Sequence, residues 1–370
     1  MYPSLTGIRF WAASAVFLTH FALFQYFYGI QDGFLHTFFV AMGATGVSVF
    51  FVLSGFILYV RYCADEKPIA LHPFWVARFA RIYPAFFLAL LMGAPIELLG
   101  NTKNFAAMFI PHVFLLQSFH PYPCGEINSV DWTISHEAFF YLLFPLLALL
   151  FRGRILMKVG LFFLAYYLVS FIARTTLPEG FYTGFLFPPY RVGEFAAGMT
   201  AGWLFVSLRH HPALQVSMQR IRWLLLPGIL LLMGILLAKP WFVPEAWGYA
   251  YTTLPAVLLI LLLALCDQTR LSPLMMAHPL IVLGGEVSYA LYLIHTIVFR
   301  YVRHGLYYGV HFDLATLGPV SLSVFGVLLF LGCNLLAWMI YRWVEAPARR
   351  LINNVLKPRS TRSPIKTVLS

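Results

Sequence analysis

The chain alternates long apolar stretches with short polar ones, and this pattern predicts a bundle of membrane-spanning helices. About 20 mainly apolar residues are enough to cross the hydrocarbon core of a bilayer as a helix. About ten stretches meet this requirement. They cover approximately residues 7–28, 36–60, 74–99, 132–151, 155–174, 189–208, 223–239, 249–267, 286–308 and 319–343. The sequence therefore predicts an all-α integral membrane protein with about ten transmembrane helices.

Two further apolar pieces, 105–117 and 271–283, are too short to span a bilayer comfortably. Pieces of this length lie at the membrane interface or re-enter the protein. The end of the chain is polar and basic instead. We therefore expect one transmembrane domain over residues 1–356 and a basic, disordered cytoplasmic tail over residues 357–370.

The composition excludes an ordinary soluble domain, because 61% of the residues are hydrophobic and only 11% are charged. The formal net charge of +11 reflects basic residues in alternate loops, so nucleic acid is not expected as a partner. Basic loops stay in the cytoplasm, which places both termini there. Arg300 and Arg303, at the opposite end of a span, run against this rule. The basic residues that set the orientation are Arg61, Lys67, Arg78, Arg81, Arg152, Arg154, Lys158, Arg209, Arg220, Arg222 and Arg270, with Arg349, Arg350, Lys357, Arg359, Arg362 and Lys366 in the tail.

The first span carries two ionisable side chains, Arg9 and His20, eleven residues apart. At about 100° per residue they differ by roughly 1100°, or three turns plus about 20°, so they share one helix face about 16 Å apart. An ionisable group inside a membrane faces the bundle interior or a wet cavity by default. His20 is therefore a candidate for chemistry, and a packed, hydrogen-bonded histidine is the alternative.

Glu137 is the candidate partner of His20. The fourth predicted span begins near Trp132 on the outer side, so Glu137 and His20 both lie about two turns in from that side. A carboxylate beside an imidazole holds its tautomer, and the imidazole can then act as a general base on a hydroxyl. Alternatively, Glu137 is solvated or pairs with Arg191. Ser135 is a weaker candidate, as a cap or a substrate hydrogen bond.

Arg78 and Arg81 are neighbours on one helix face at the cytoplasmic mouth of the third span, where Arg9 also begins the first span. Arginine binds phosphate through two parallel hydrogen bonds, so three guanidiniums suit a polyanion. The alternative is a role in topology and in binding lipid headgroups.

Two more polar patterns interrupt apolar segments. Arg191 and Glu194 are three residues apart and can pair with each other or line an acceptor site. Ser288, Tyr292 and His295 form a stripe on one face of the ninth span. Such a stripe serves interhelical hydrogen bonding, or forms the wall of a substrate channel.

Metal chemistry is not expected, because the twelve histidines and four cysteines show no ligand spacing beyond the neighbours His210 and His211. The sequence also lacks a phosphate-binding glycine loop and the motifs of zinc proteases and serine hydrolases. We therefore expect neither a metal nor a bound cofactor.

Several motifs together resemble the acyltransferase-3 family of integral-membrane O-acyltransferases of bacterial surface glycans. The first is the Arg9–His20 spacing after Leu5-Thr6-Gly7-Ile8. The others lie at 50–56 (FFVLSGF), 78–84 (RFARIYP), 132–137 (WTISHE) and 287–295 (VSYALYLIH). The resemblance covers nearly the whole chain in order.

The resemblance implies an enzyme that moves an acyl group, most simply acetyl, from cytoplasmic acyl-coenzyme A to a hydroxyl. The acceptor would be an exopolysaccharide or a lipid-linked sugar outside the bacterial cytoplasmic (inner) membrane. Arg9, Arg78 and Arg81 would serve the donor, and His20 would be the base or a transient nucleophile. The channel wall would hold the pantetheine arm. Membrane lipids and a glycan-assembly complex are the candidate partners, and we expect no fused extracytoplasmic domain.

Two other classes remain open at this point. A transporter or flippase would use the buried Arg, His and Glu side chains as a ligand site or a proton relay. A non-catalytic scaffold of a glycan-assembly complex would tolerate replacement of His20.

The orientation can be tested by cysteine labelling in a background without the four native cysteines. Glu179→Cys should react with an impermeant thiol reagent on intact cells, because 175–188 is a predicted outer loop. Ile365→Cys should react only after the cells are opened. The reverse pattern would overturn the predicted orientation.

Overall fold

The computed structural model describes residues 2–26, 33–65, 67–100, 105–119, 127–176, 186–238, 248–312 and 314–356. Within these ranges the regular structure is entirely helical, which confirms the predicted fold class. The predicted tail, 357–370, lies outside the described residues.

The helices are numbered in chain order. The first seven are α1 (Pro3–Tyr26), α2 (Gly33–Tyr62), α3 (Leu71–Gly100), α4 (Phe105–Val113), α5 (Trp132–Leu147), α6 (Ile155–Thr176) and α7 (Val192–Leu208). The others are α8 (Pro212–Arg220), α9 (Arg222–Leu237), α10 (Gly248–Gln268), α11 (Leu274–Ala277), α12 (Pro279–His304), α13 (Pro319–Ile340) and α14 (Ala346–Leu356).

The prediction of about ten spans is confirmed. Among the described residues, seven helical segments are long and apolar enough to cross a membrane, or eight if the bent pair α8–α9 forms one span. Helices α1 and α7 occupy the two remaining predicted spans, and both pack inside the bundle, α1 against α2 and α12, and α7 against α2.

The piece at 271–283 differs from the prediction of one interfacial segment. Residues 274–277 form the short helix α11, but α12 already begins at Pro279, ahead of the predicted ninth span. Proline is favoured in the first turn of a helix, and the side chain of the preceding residue, His278, accepts a hydrogen bond from the Leu280 amide.

The start of α1 is anchored by Asp267, at the end of α10. The Ser4 amide donates to Asp267 Oδ2 at 2.9 Å, the Ser4 hydroxyl donates to Oδ1 at 2.6 Å, and Ser272 also donates to Oδ1. The first amides of a helix have no partner within the helix, so a carboxylate here stabilises its N-terminus. This contact fixes the position of α1, and with it those of Arg9 and His20.

Two helix contacts depend on glycine. A Cβ on Gly198 of α7 would lie 1.9 Å from the Val52 carbonyl oxygen of α2, and one on Gly285 of α12 would lie 1.9 Å from the Thr6 oxygen of α1. Small residues let helix backbones approach closely in membrane proteins. The central group α7–α2–α1–α12 is therefore packed backbone to backbone.

The chain before α5 enters the bundle. Asn128 is buried and donates to the Leu293 carbonyl at 2.9 Å, while Thr296 donates to Asn128 Oδ1 at 2.6 Å. Arg300 donates to the Ile127 carbonyl at 2.6 Å and to Glu97 at 2.8 Å. Arg300 departs from the charge rule because it holds this segment against α12.

The Gly198 contact can be tested by adding a single methyl group. Gly198→Ala should lower the yield and the apparent Tm in detergent, because overpacking costs about 1–3 kcal/mol. The matched control is Gly160→Ala in α6, where a Cβ meets nothing within 4 Å. Equal Tm values for the two variants would contradict the proposed backbone contact.

Candidate active site

A small cavity of about 40 Å³, lined by both polar and apolar side chains, lies between α1, α2, α5 and α12. A cavity of this size holds a few water molecules. Its ionisable walls come from α1, α5 and α12, and aromatic side chains of α2 close one side. The lining residues are Arg9, Val47, Phe50, Phe51, Thr133, Ile134, Glu137, Tyr289 and Tyr292.

Glu137 sits at the cationic end of this site. Its carboxylate accepts a hydrogen bond from the Tyr141 hydroxyl at 3.0 Å, one turn further along α5. The positive charges that act on it are those of Arg81, Arg9 and Arg78. Glu137 of α5 is therefore the counter-charge of the predicted arginine group, to which α1 and α3 contribute.

Arg81 has a second, closer partner. It donates to Glu345 Oε1 at 2.6 Å, and its guanidinium lies 5.8 Å from the centre of the Tyr289 ring. Glu345 is fully buried at the end of a short π-helix before α14. The turn after α13 carries Glu345 into the bundle, where its carboxylate meets Arg81. The charge of Arg81 is therefore compensated within the protein.

Arg78 is held by ring faces. Its guanidinium lies 5.9 Å from the centre of the Tyr62 ring and 5.7 Å from that of Tyr141. Its Nε is buried, and within the described residues this nitrogen donates no hydrogen bond. A buried N–H without an acceptor is costly, so this position suits an incoming anion. Three arginines and the two carboxylates Glu137 and Glu345 leave one positive charge uncompensated within the group.

His20 lies on the same side of α1 as Arg9, toward α12, as the spacing predicts. Its Nδ1 is 2.9 Å from the Val16 carbonyl oxygen and 3.2 Å from Nε2 of His295. The two imidazole rings are 5.0 Å apart and nearly edge to face. The second polar group of the site is therefore a pair of histidines contributed by two parallel helices.

The predicted pair of His20 with Glu137 is wrong. The prediction placed Trp132 at the outer membrane surface, but the chain before α5 already lies inside the bundle. The Tyr292 hydroxyl donates to the Val130 carbonyl, so α5 begins beside Tyr292. Glu137 then lies further from the outer side, beside Tyr289, whereas His20 lies beside His295.

The predicted polar stripe of α12 serves three purposes. Ser288 donates to the Gly285 carbonyl of its own helix at 2.8 Å, Tyr292 binds the chain before α5, and His295 contacts His20. Only Tyr292 lines the cavity. The interhelical hydrogen bonding proposed as the alternative is thus present at His295, while Tyr292 joins α12 to the turn before α5.

Ser135 connects α5 to the segment after α4. Its hydroxyl donates to the Leu115 carbonyl and accepts from the Ser118 amide at 3.4 Å. Ser135 is fully buried, and its two hydrogen bonds hold α5 against this segment. Its predicted role in substrate binding stays a prediction.

Arg191 and Glu194 form the mutual ion pair that their spacing allows. Arg191 is 1% exposed and donates through Nε and Nη2 to the two carboxylate oxygens of Glu194. It also donates to the Ser48 hydroxyl at 3.3 Å and covers the Phe51 ring. These contacts lock α7 to α2, and the predicted role of Arg191 at an acceptor site stays a prediction.

Sequence reasoning also missed a buried pair of ionisable side chains directly before α5. His112 Nε2 of α4 lies 3.3 Å from Asp131 Oδ2, directly before α5. Burial raises the pKa of the Asp131 carboxyl, and the adjacent His112 opposes that rise. The available signal was a lone histidine in the short apolar helix 105–113. The pair holds α4 against the start of α5.

Comparison with known proteins adds independent evidence. The profile described as "Acyltransferase domain" (acyltransferase 3) matches residues 2–342. Acyltransferase MdmB of Streptomyces mycarofaciens is 31% identical over 95% of this chain and 92% of its own length. Exopolysaccharide production protein ExoZ of Rhizobium meliloti is 28% identical over 51% of this chain and 67% of its own. A Staphylococcus aureus protein whose name marks it as an unproven O-acetyltransferase is 23% identical, and this chain spans 59% of its length. No solved structure matches the chain.

Proposed function

Because this chain belongs to the acyltransferase-3 family, we propose that it transfers an acyl group from acyl-coenzyme A to a hydroxyl of a saccharide. Membership confirms the resemblance drawn from the motifs, and with it a multi-pass membrane acyltransferase. It favours this enzyme over a transporter, a flippase or a scaffold. Acetyl is the simplest acyl group, and an exopolysaccharide or lipid-linked sugar is the acceptor that we propose.

The observation that carries the donor proposal is the arginine group with its uncompensated charge. Arg78 offers a buried N–H without an acceptor, and Arg9 reaches the cavity from α1. The phosphates of coenzyme A are polyanionic acceptors that suit guanidinium donors. We assign Glu137 to this group as the carboxylate that limits its charge while the donor is absent.

The acceptor end is assigned to His20, about 16 Å along α1 from Arg9. The long, thin pantetheine arm would bridge this distance. The cavity of about 40 Å³ is smaller than that arm, so donor binding would widen it around Tyr289 and Tyr292. His20 would take the proton of the acceptor hydroxyl as the thioester is attacked.

The setting proposed is the bacterial cytoplasmic membrane with both termini in the cytoplasm. The alternation of basic loops supports this orientation. The donor then comes from the cytoplasm, the acceptor is reached from outside, and membrane lipids and a glycan-assembly complex are the expected partners.

Replacing His20 tests the chemistry. His20→Gln keeps a hydrogen-bonding side chain but removes the proton acceptor, so acyl transfer should fall by roughly 10²- to 10⁴-fold. Mass spectra of surface saccharides from cells at equal expression would measure transfer, and acetyl-coenzyme A binding to the purified protein should persist. Retention of more than about a tenth of the transfer would show that His20 is not the base.

Replacing Arg78 and Arg81 one at a time tests the donor site. Arg78→Gln should weaken acetyl-coenzyme A binding tenfold or more, because a charge-assisted hydrogen bond contributes roughly 1.5–3 kcal/mol. Arg81→Gln should lower the yield instead, since it leaves Glu345 buried and unpaired, which costs about 3–5 kcal/mol.

The matched control for both is Arg154→Gln, in an exposed loop on the predicted cytoplasmic side. It removes one positive charge without touching the cavity, and we expect unchanged donor affinity. If Arg78→Gln binds the donor as tightly as this control, Arg78 does not hold the donor phosphates.

A further inference from the structure

His20 and His295 touch through one nitrogen each. The distance from His295 Nε2 to His20 Nδ1 is 3.2 Å, and each residue also has its Nδ1 beside a carbonyl oxygen one turn back in its own helix. These distances are 2.9 Å from His20 to Val16 and 3.1 Å from His295 to Leu291.

The hydrogen bonds assign the protons. A carbonyl oxygen only accepts, so the Nδ1 of each histidine carries the hydrogen that it donates. His295 Nε2 is then an acceptor, and His20 shares its Nδ1–H between this nitrogen and the Val16 oxygen. Three-centre hydrogen bonds, in which one N–H is shared by two acceptors, also occur at helix termini. In neutral His20 the lone pair is therefore on Nε2, the nitrogen that neither His295 nor Val16 occupies.

His295 has no nitrogen to offer a substrate. Its Nδ1 is used by Leu291 and its Nε2 by His20, and the residue is fully buried. The predicted substrate contact of His295 is therefore not what the structure supports. The rings packed against it are uncharged. They belong to Phe17 on α1 and to Tyr292 and Phe299 on α12.

We propose that His295 is a positioning residue that holds His20 with Nδ1 protonated and Nε2 ready to accept the hydroxyl proton. This inference rests on the proposed acyl transfer. As the hydroxyl oxygen bonds to the acyl carbon, its proton moves to His20 Nε2. The carbon–sulfur bond then breaks, and the proton passes from Nε2 to the departing thiolate. In the Ser-His-Asp triad the aspartate orients the histidine base in a similar way. Here the orienting residue is His295, which is neutral.

Solid-state ¹⁵N NMR of the full protein in lipid tests the hydrogen bond without any turnover. We expect His20 to be protonated at Nδ1 and a scalar coupling between His20 Nδ1 and His295 Nε2. Assignment uses spectra of His20→Gln and His295→Gln. Protonation of His20 at Nε2, or the absence of the coupling, would overturn the inference even if the protein is an acyltransferase.

Kinetics then separate positioning from packing. His295→Gln keeps an acceptor near the position of Nε2, and His295→Leu fills similar space without one. We expect His295→Leu to lower kcat tenfold or more with the KM for acetyl-coenzyme A unchanged. His295→Gln should keep most of the wild-type kcat. Equal kcat values for the two variants, at any level, would remove the positioning role.

The matched control is Phe299→Leu, one turn further along α12. It removes a ring that packs on His295 but leaves the His20 hydrogen bonds in place. Its kcat should stay close to that of the wild type. If it falls as far as that of His295→Leu, loss of packing explains both. An inactive wild-type protein would count against the proposed function, while the NMR result would still decide the hydrogen bond.

Discussion

A charged side chain inside an apolar bundle must find a partner, and this requirement organises the whole interior. Removing an ion from water costs several kcal/mol unless another charge or hydrogen bond replaces the water. Arg191 meets this cost with Glu194, and Arg81 meets it with Glu345. Against that background Arg78 is informative, because its buried Nε has no acceptor within the described residues. This buried arginine nitrogen without an acceptor lies where an anionic substrate is expected.

The partners meet because helix register is fixed by backbone contacts. Gly285 brings α12 against Thr6, and Asp267 holds the first turn of α1. Once α1 is fixed there, Arg9 reaches the cavity and His20 reaches His295 without further adjustment. Small residues and one carboxylate outside the site therefore determine which ionisable groups meet inside it.

The features that the sequence predicted correctly depend on local periodicity. Apolar length predicted the spans, helical spacing put Arg9 and His20 on one face, and a three-residue interval allowed the Arg191–Glu194 pair. The pairing of His20 with Glu137 failed because it required the depth of α5. That depth is set by hydrogen bonds such as the one from Asn128 to Leu293, between residues 165 positions apart. Periodicity contains no information about such contacts, and none about His295 as the neighbour of His20.

The separation of Glu137 from His20 bears on how the proposed reaction would end. A carboxylate beside His20 would hold the imidazolium that forms when the hydroxyl proton arrives. The neutral His295 stabilises that cation less, because it offers an acceptor but no charge. Acyl transfer from a thioester releases a thiolate that needs this same proton, so a weakly held imidazolium suits the second half of the step. A carboxylate is more useful at the other end of the site, where Arg9, Arg78 and Arg81 would repel one another without it.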